Sequence, residues 1–198
     1  MPPVFIYNNP NFNHQILHPM PETFESQRLL FRELEPSDEE ALFELDSDPE
    51  VHRYLGNTPV RSMDEIRTAI AMIREQYRTN GVGRMAVILK ETGEFLGWAG
   101  LKLAKDQLNG NVNYYDLGYR FMRKHWGKGY ATESAKAFIS YGFNVMKLPK
   151  INAYADAGNA GSRSVLEKAG LEYIGSFDDD GVLSVWYEIV NPGDKKVN

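Results

Sequence analysis

Apolar positions along the chain switch between the two-residue spacing of strands and the three-to-four-residue spacing of helices, and the switches outline a series of elements. Arg28–Leu34 is short and apolar-rich and runs into Pro36-Ser37-Asp38, a strand giving way to a helix start. Ala41, Leu42 and Leu45 follow at helical spacing until Asp46-Ser47-Asp48-Pro49 interrupts. Ser62 is placed to cap a longer helix whose stripe is Ile66, Ala69, Ile70, Ile73 and Tyr77, and Asn80-Gly81 ends it. Arg84–Lys90, Phe95–Leu103 and Val112–Met122 read as a three-strand meander, joined by Glu91-Thr92-Gly93-Glu94 and a loop through Asn109-Gly110-Asn111. Helical spacing resumes after Gly129, with Ala131, Ala135, Phe138, Gly142 and Val145, and stops near Lys147. Ile151–Ala155 reads as a strand, and Asn159–Ala169 as a short helix stopped by Gly170. Leu171–Phe177 and Val182–Val190 then form a hairpin around Asp178-Asp179-Asp180-Gly181.

The order is β, α, α, β, β, β, α, β, α, β, β, a mixed α/β (α+β) pattern without internal repeat or second domain boundary. With 198 residues, of which 42% are hydrophobic, one compact domain is expected over 25–192, preceded by an Asn- and Pro-rich arm (1–24) and followed by a short polar tail (193–198). The absence of cysteine excludes a disulfide framework, thiolate metal sites and a cysteine nucleophile. A formal net charge of -5 argues against phosphate-neutralising nucleic-acid binding and is compatible with amine partners. No signal peptide or membrane span is recognisable, so a cytoplasmic protein is expected.

Chemistry concentrates in Trp126-Gly127-Lys128-Gly129-Tyr130-Ala131-Thr132, between a strand and an amphipathic helix, where free helix-start amides and the helix dipole favour an anion. Locally, a phosphate site and an ordinary glycine-rich connector are equally good readings, and Lys128 either adds charge or points to solvent. The segment lacks the G-x-x-x-x-G-K-S/T of a P-loop, and a dinucleotide turn needs a small residue where Thr132 stands. Gly118, inside the preceding strand, marks a bulge or a close ligand approach, or else a simple twist point or packing contact. A strand edge beside a phosphate turn has the shape to take pantetheine ending in a pyrophosphate. Asn159, most simply a helix cap, could face the same ligand.

These residues resemble the GNAT superfamily of N-acetyltransferases, and within it the ribosomal-protein N-terminal acetyltransferase (RimJ/RimL-like) branch. The resemblance is carried by SQRLLFRELEPSDEEAL, DLGYRFMRKHWGKGYATESA, NAGSRSVLEKAGL and the element order, from about Ser26 to about Val190. It implies one central, mostly antiparallel and partly splayed sheet of six or seven strands, flanked by about four helices. The pyrophosphate motif of the superfamily is Gln or Arg, two variable residues, Gly, one variable residue, then Gly or Ala. Gly127, Lys128, Gly129, Tyr130 and Ala131 fit it, while Trp126 takes the Gln/Arg place, as is familiar in that branch. The resemblance thus implies acetyl-CoA bound through the backbone of Gly127, Gly129, Tyr130 and Ala131, with Thr132 as an extra donor. It also implies Tyr119 and Phe121 pairing with pantetheine, and Asn159 and Ser162 along the pantetheine arm. The Tyr119 amide is the implied oxyanion donor and Ser162 a donor to the leaving thiolate. Many relatives carry a tyrosine where this chain has Leu166.

Direct attack by an amine on the thioester is expected, since no cysteine or serine triad is recognisable. Asp116 or Tyr115 is the candidate base, only one of which can face the site because strand neighbours point oppositely. His14, His18, His52 and His125 show no metal or triad spacing and read as surface or tail residues, and no metal site is expected. The acceptor, a protein N-terminus or a small amine, is expected between Asp46, Asp48, Glu50 and Tyr54 on one side and Asp178, Asp179 and Asp180 on the other. Monomer and homodimer remain open. The alternative to an enzyme is a non-catalytic acyl-CoA binding or sensor domain, suggested by Leu166.

Overall fold

The structure is a computed structural model and describes residues 23–194. Its strands are β1 (Thr23–Glu25), β2 (Leu29–Arg32), β3 (Arg84–Leu89), β4 (Phe95–Ala104), β5 (Tyr114–Phe121), β6 (Lys150–Asp156), β7 (Glu172–Asp179) and β8 (Val182–Val190). The helices are α1 (Glu39–Asp46), α2 (Pro49–His52), α3 (Met63–Asn80), α4 (Tyr130–Asn144) and α5 (Ala160–Ala169). All eight strands form one sheet in the order β1-β2-β3-β4-β5-β6-β8-β7.

Two short elements exceed the expected count. The eighth strand, β1, is only three residues long and has no legible alternation, but Phe24 stacks on Phe31 at 4.7 Å and meets Phe138 edge-on at 5.0 Å. The sheet therefore begins at Thr23, inside the segment assigned from sequence to the arm; the rest of that arm and most of the tail lie outside the described residues. The fifth helix, α2, occupies the Asp48-Pro49 break: the Asp48 side chain accepts from the Glu50 amide at 2.9 Å, with Pro49 in the first turn.

Alternation along the strands builds a core on each face. One contains Phe31, Leu117, Phe138, Ile151 and Tyr187 beneath α4 and α5, and the other holds Leu34, Leu45, Ile66, Ile70 and Ala86 beneath α1 and α3. Leu166 is 1% exposed in the first core, so its place on α5 is filled by packing. Every neighbouring pair of strands is antiparallel except β5 and β6, which run parallel and pair only at Asp116↔Asn152. Beyond that bridge the two strands separate. The opening lies between the C-terminal half of β5, which leads into α4, and that of β6, which leads into α5.

Candidate active site

The edge of β5 facing this opening keeps its Tyr119 and Phe121 amides available. The Met122 amide donates to the Leu96 carbonyl beside β4 at 3.0 Å, and hydrogen-bonding direction alternates along a strand. Tyr119 and Phe121 therefore turn their N–H and C=O groups away from β4, toward the side β6 has left. The Phe121 carbonyl accepts the indole N–H of Trp126 at 2.7 Å. Trp126, the residue that departs from the superfamily motif, thus ties the turn to the strand that precedes it.

After Trp126 the chain makes a turn that demands glycine. Gly127 and Gly129 have φ of 74° and 82°, left-handed values that cost a side-chain-bearing residue about 1 kcal/mol or more. Gly129 is the N-cap of α4 and has no side chain to satisfy the first-turn amides, so those of Tyr130, Ala131 and Thr132 are left for another acceptor. Positive charge gathers here from a distant part of the sequence. Arg28 donates to the Lys128 carbonyl at 3.1 Å, and its guanidinium lies 4.6 Å from the Tyr130 ring centroid. Glu133 fixes Arg28 through its Nε at 2.7 Å and its amide at 2.7 Å, and accepts from Ser26 at 2.7 Å. Burial alone would raise the Glu133 pKa, but these hydrogen bonds outweigh it and hold the group below its ordinary value.

Across the opening, the Asn159 side chain accepts from the Ser162 amide at 3.0 Å and caps α5. Tyr119 spans the gap on this side. Its hydroxyl lies 2.9 Å from the Ser162 carbonyl and 3.1 Å from the Ser162 hydroxyl. Burial pushes the Tyr119 pKa well above that of an ordinary phenol, so the hydroxyl stays protonated and available as a hydrogen-bond donor.

The opposite face of β5 carries Asp116, Gly118 and Arg120. Asp116 is 7% exposed and its carboxylate is paired with Arg84, whose Nη1 also donates to the Asp116 carbonyl at 2.7 Å and to that of Gly100. The Arg84 guanidinium accounts for Gly118: a Cβ there would lie 2.6 Å from Arg84 Nη2. Of the readings open for this glycine, a side-chain packing contact is the one the structure supports, in a register with β4 that is unbroken through this stretch. Arg120 pairs with Asp46 at 2.5 Å, and Arg84 and Arg120 sit 5.6 and 5.1 Å from the Trp98 ring centroid.

Several acids expected to line an acceptor entrance are thereby engaged within the protein: Asp46 by Arg120, Asp48 by α2, and Asp178 by the Gly181 amide at 3.0 Å. Two histidines also differ from expectation. His52 and His125 are each 6% exposed, where surface positions were anticipated; His14 and His18 lie outside the described residues. Burial, then the neighbouring Arg120 charge, lowers the His52 pKa. Arg28 and Arg84 carry no mark of these roles in the sequence, since their partners Glu133 and Asp116 are brought to them only by the fold.

The acetyltransferase (GNAT) domain family matches residues 28–172, and the chain belongs to that family. It is accordingly an acetyl-CoA dependent N-acetyltransferase. It is 35% identical to an uncharacterized N-acetyltransferase p20 of Bacillus licheniformis, over 82% of this chain and 85% of that protein. A GNAT-family acetyltransferase from Bacillus anthracis superposes with a TM-score of 0.71 at 28% identity, covering 85% of this chain and 98% of the other. A ribosomal-protein-S5-alanine acetyltransferase from Vibrio fischeri shares the fold with a TM-score of 0.69 at 16% identity, covering 86% of this chain and 97% of the other.

Proposed function

We propose that the protein transfers acetyl from acetyl-CoA directly to a primary amine in a ternary complex, with the cofactor lying in the opening between β5 and β6. The observation that carries this reading is the free β5 edge ending at an uncapped α4. The residues fit the ligand: strand-edge amides suit pantetheine, and the Gly127–Thr132 turn with Lys128 and Arg28 suits a pyrophosphate. Asn159 and Ser162 would flank the pantetheine arm from α5. Acetyl-CoA supplies the activated acyl group.

In this reading the Tyr119 amide donates to the thioester oxygen as charge develops there. A C–N bond forms to the amine, the C–S bond breaks, and the sulfur leaves as a thiol with a proton from the Ser162 or Tyr119 hydroxyl, which regains one from solvent. The amine gives up one proton to solvent. Tyr119 joins this machinery because its hydroxyl reaches Ser162 and stays protonated, a role the sequence assigned only to Ser162. Asp116 lies on the acceptor side of β5, and Arg84 occupies its carboxylate. Its part is to neutralise Arg84 and hold it over Gly118, rather than to take a proton as a free base.

Within the family we place the chain nearest the ribosomal-protein N-terminal acetyltransferases, on the Trp126-Gly127 pair and the indole bond that explains it. The test is calorimetric titration with acetyl-CoA, followed by thiol release with a panel of amines and peptide N-termini. Binding with turnover on at least one amine is expected. Binding without turnover on any acceptor would instead favour a sensor domain, and no binding would overturn both readings.

A further inference from the structure

The half of the sheet that α1 and α3 leave uncovered bears a cluster of aromatic rings. On the face shared with Asp116, Tyr114 meets Trp186 edge-on with centroids 5.1 Å apart. Tyr154 lies nearly parallel to Trp186, at 6.3 Å and 12°, and Phe177 meets Trp186 at 6.0 Å and Tyr154 at 6.1 Å. The β6–β8 register places Tyr154 opposite Trp186, so the cluster follows from strand pairing. Trp186 is 1% exposed, whereas Tyr154 is 41% exposed and presents its ring to solvent. This is a rigid aromatic floor two residues along β5 from Asp116.

Charge on this face is mostly spent internally. Asp116 holds Arg84, Asp156 accepts from the Gly158 amide at 2.7 Å, and Glu188 accepts from Lys150, Asn152 and the Trp186 indole. Asp179, from the hairpin end of β7, stands close enough that its charge, after burial and Asp116, helps to raise the pKa of the Tyr114 and Tyr154 phenols, which stay neutral. A linear polyamine needs several free carboxylates at matching intervals. A single ammonium on a flat apolar body needs aromatic area and one anionic rim, which this face has.

We infer that the Tyr114, Tyr154, Phe177 and Trp186 cluster is the acceptor subsite, and that it selects a monoamine carried on an aromatic or other flat apolar body over a linear polyamine. This rests on the acetyl-transfer reading above and adds the class of acceptor. The amine would sit toward Asp116 and the β5 edge, with its apolar body on the Tyr154 ring.

The test compares 2-phenylethylamine with spermidine on the full-length protein, by thiol release and by intrinsic tryptophan fluorescence, because Trp186 lies beneath the proposed body. 2-Phenylethylamine is expected to show a kcat/KM about tenfold or more above that of spermidine and to change the fluorescence. Tyr154→Ala should raise its KM about tenfold with acetyl-CoA affinity unchanged, and Tyr154→Phe should restore it. Preference for spermidine, or an unchanged KM in both Tyr154→Ala and Phe177→Ala, overturns the inference. Turnover without aromatic preference sinks the subsite alone. Failure to bind acetyl-CoA sinks the functional reading, while the fluorescence titration still decides the subsite.

Discussion

The two helices that flank the opening begin in opposite ways. At α5 the Asn159 side chain satisfies the Ser162 amide and the Gly158 carbonyl that of Ala160, so most of that end is satisfied within the protein. At α4 the cap is Gly129, without a side chain, and the first-turn amides point outward beside the Arg28 guanidinium. A self-satisfied helix start is a structural joint, whereas an unsatisfied one with a cation beside it is prepared for an anion. In the proposed reading this contrast would put the pyrophosphate at the start of α4, with pantetheine along the β5 edge and α5 flanking its thiol end.

The severest way to break the contrast is Gly129→Glu, which adds a side chain at a φ of 82° and a negative charge in the turn. It is expected to weaken acetyl-CoA binding by roughly a hundredfold or more while circular dichroism stays native; unchanged affinity would place the pyrophosphate elsewhere. Arg28→Ala removes the borrowed cation, and calorimetry should show a loss of about fivefold that shrinks at high salt.

Tyr119→Phe cuts the hydroxyl contact that Tyr119 makes to Ser162 across the arms and should lower kcat by about threefold to tenfold with little change in acetyl-CoA affinity. Because burial raises the Tyr119 pKa, the protonated form persists as pH rises, so the wild-type pH–rate profile should show no alkaline loss from this group below about pH 10. An alkaline limb near neutrality that Tyr119→Phe removes would contradict this. Asn159→Ala sharpens the comparison from the other side. It should cost about 1 kcal/mol of stability in urea unfolding and, because the same side chain would flank the pantetheine arm, weaken acetyl-CoA binding by far less than Gly129→Glu does.

What could be read from sequence follows the distance over which each feature is built. The Gly127–Gly129 turn, the Ser62 and Asn159 caps and the Asp180-Gly181 hairpin depend on neighbouring residues. They were visible because glycine, serine and asparagine have few other reasons to stand at element ends. The turn's cation was not visible, since Arg28 reaches Lys128 and Glu133 only when β2 and α4 meet. Gly118 stood out in the sequence as a bulge or close ligand approach, but it makes the blander packing contact, with Arg84 contributed from two strands away. The acidic residues flanking the expected acceptor entrance were legible as charge and not as free charge, because Arg120 and the α2 start consume two of them. Aromatic residues spread over β5, β6, β7 and β8 gave no sequence signal of a floor, because their juxtaposition is set by register.

The single bridge between Asp116 and Asn152 also bears on how the chain assembles. The strands before it form an antiparallel run closed mostly by local connections, and the strands after it form a second antiparallel block. Their union needs a crossover through α4, a non-local step of the kind that raises contact order and slows folding. A molecule lying along this seam acts as a missing length of sheet. Its binding joins the two cooperative units and adds their mutual stability only in the native state, so the protein should grow more resistant to unfolding in proportion to the logarithm of its cosubstrate concentration.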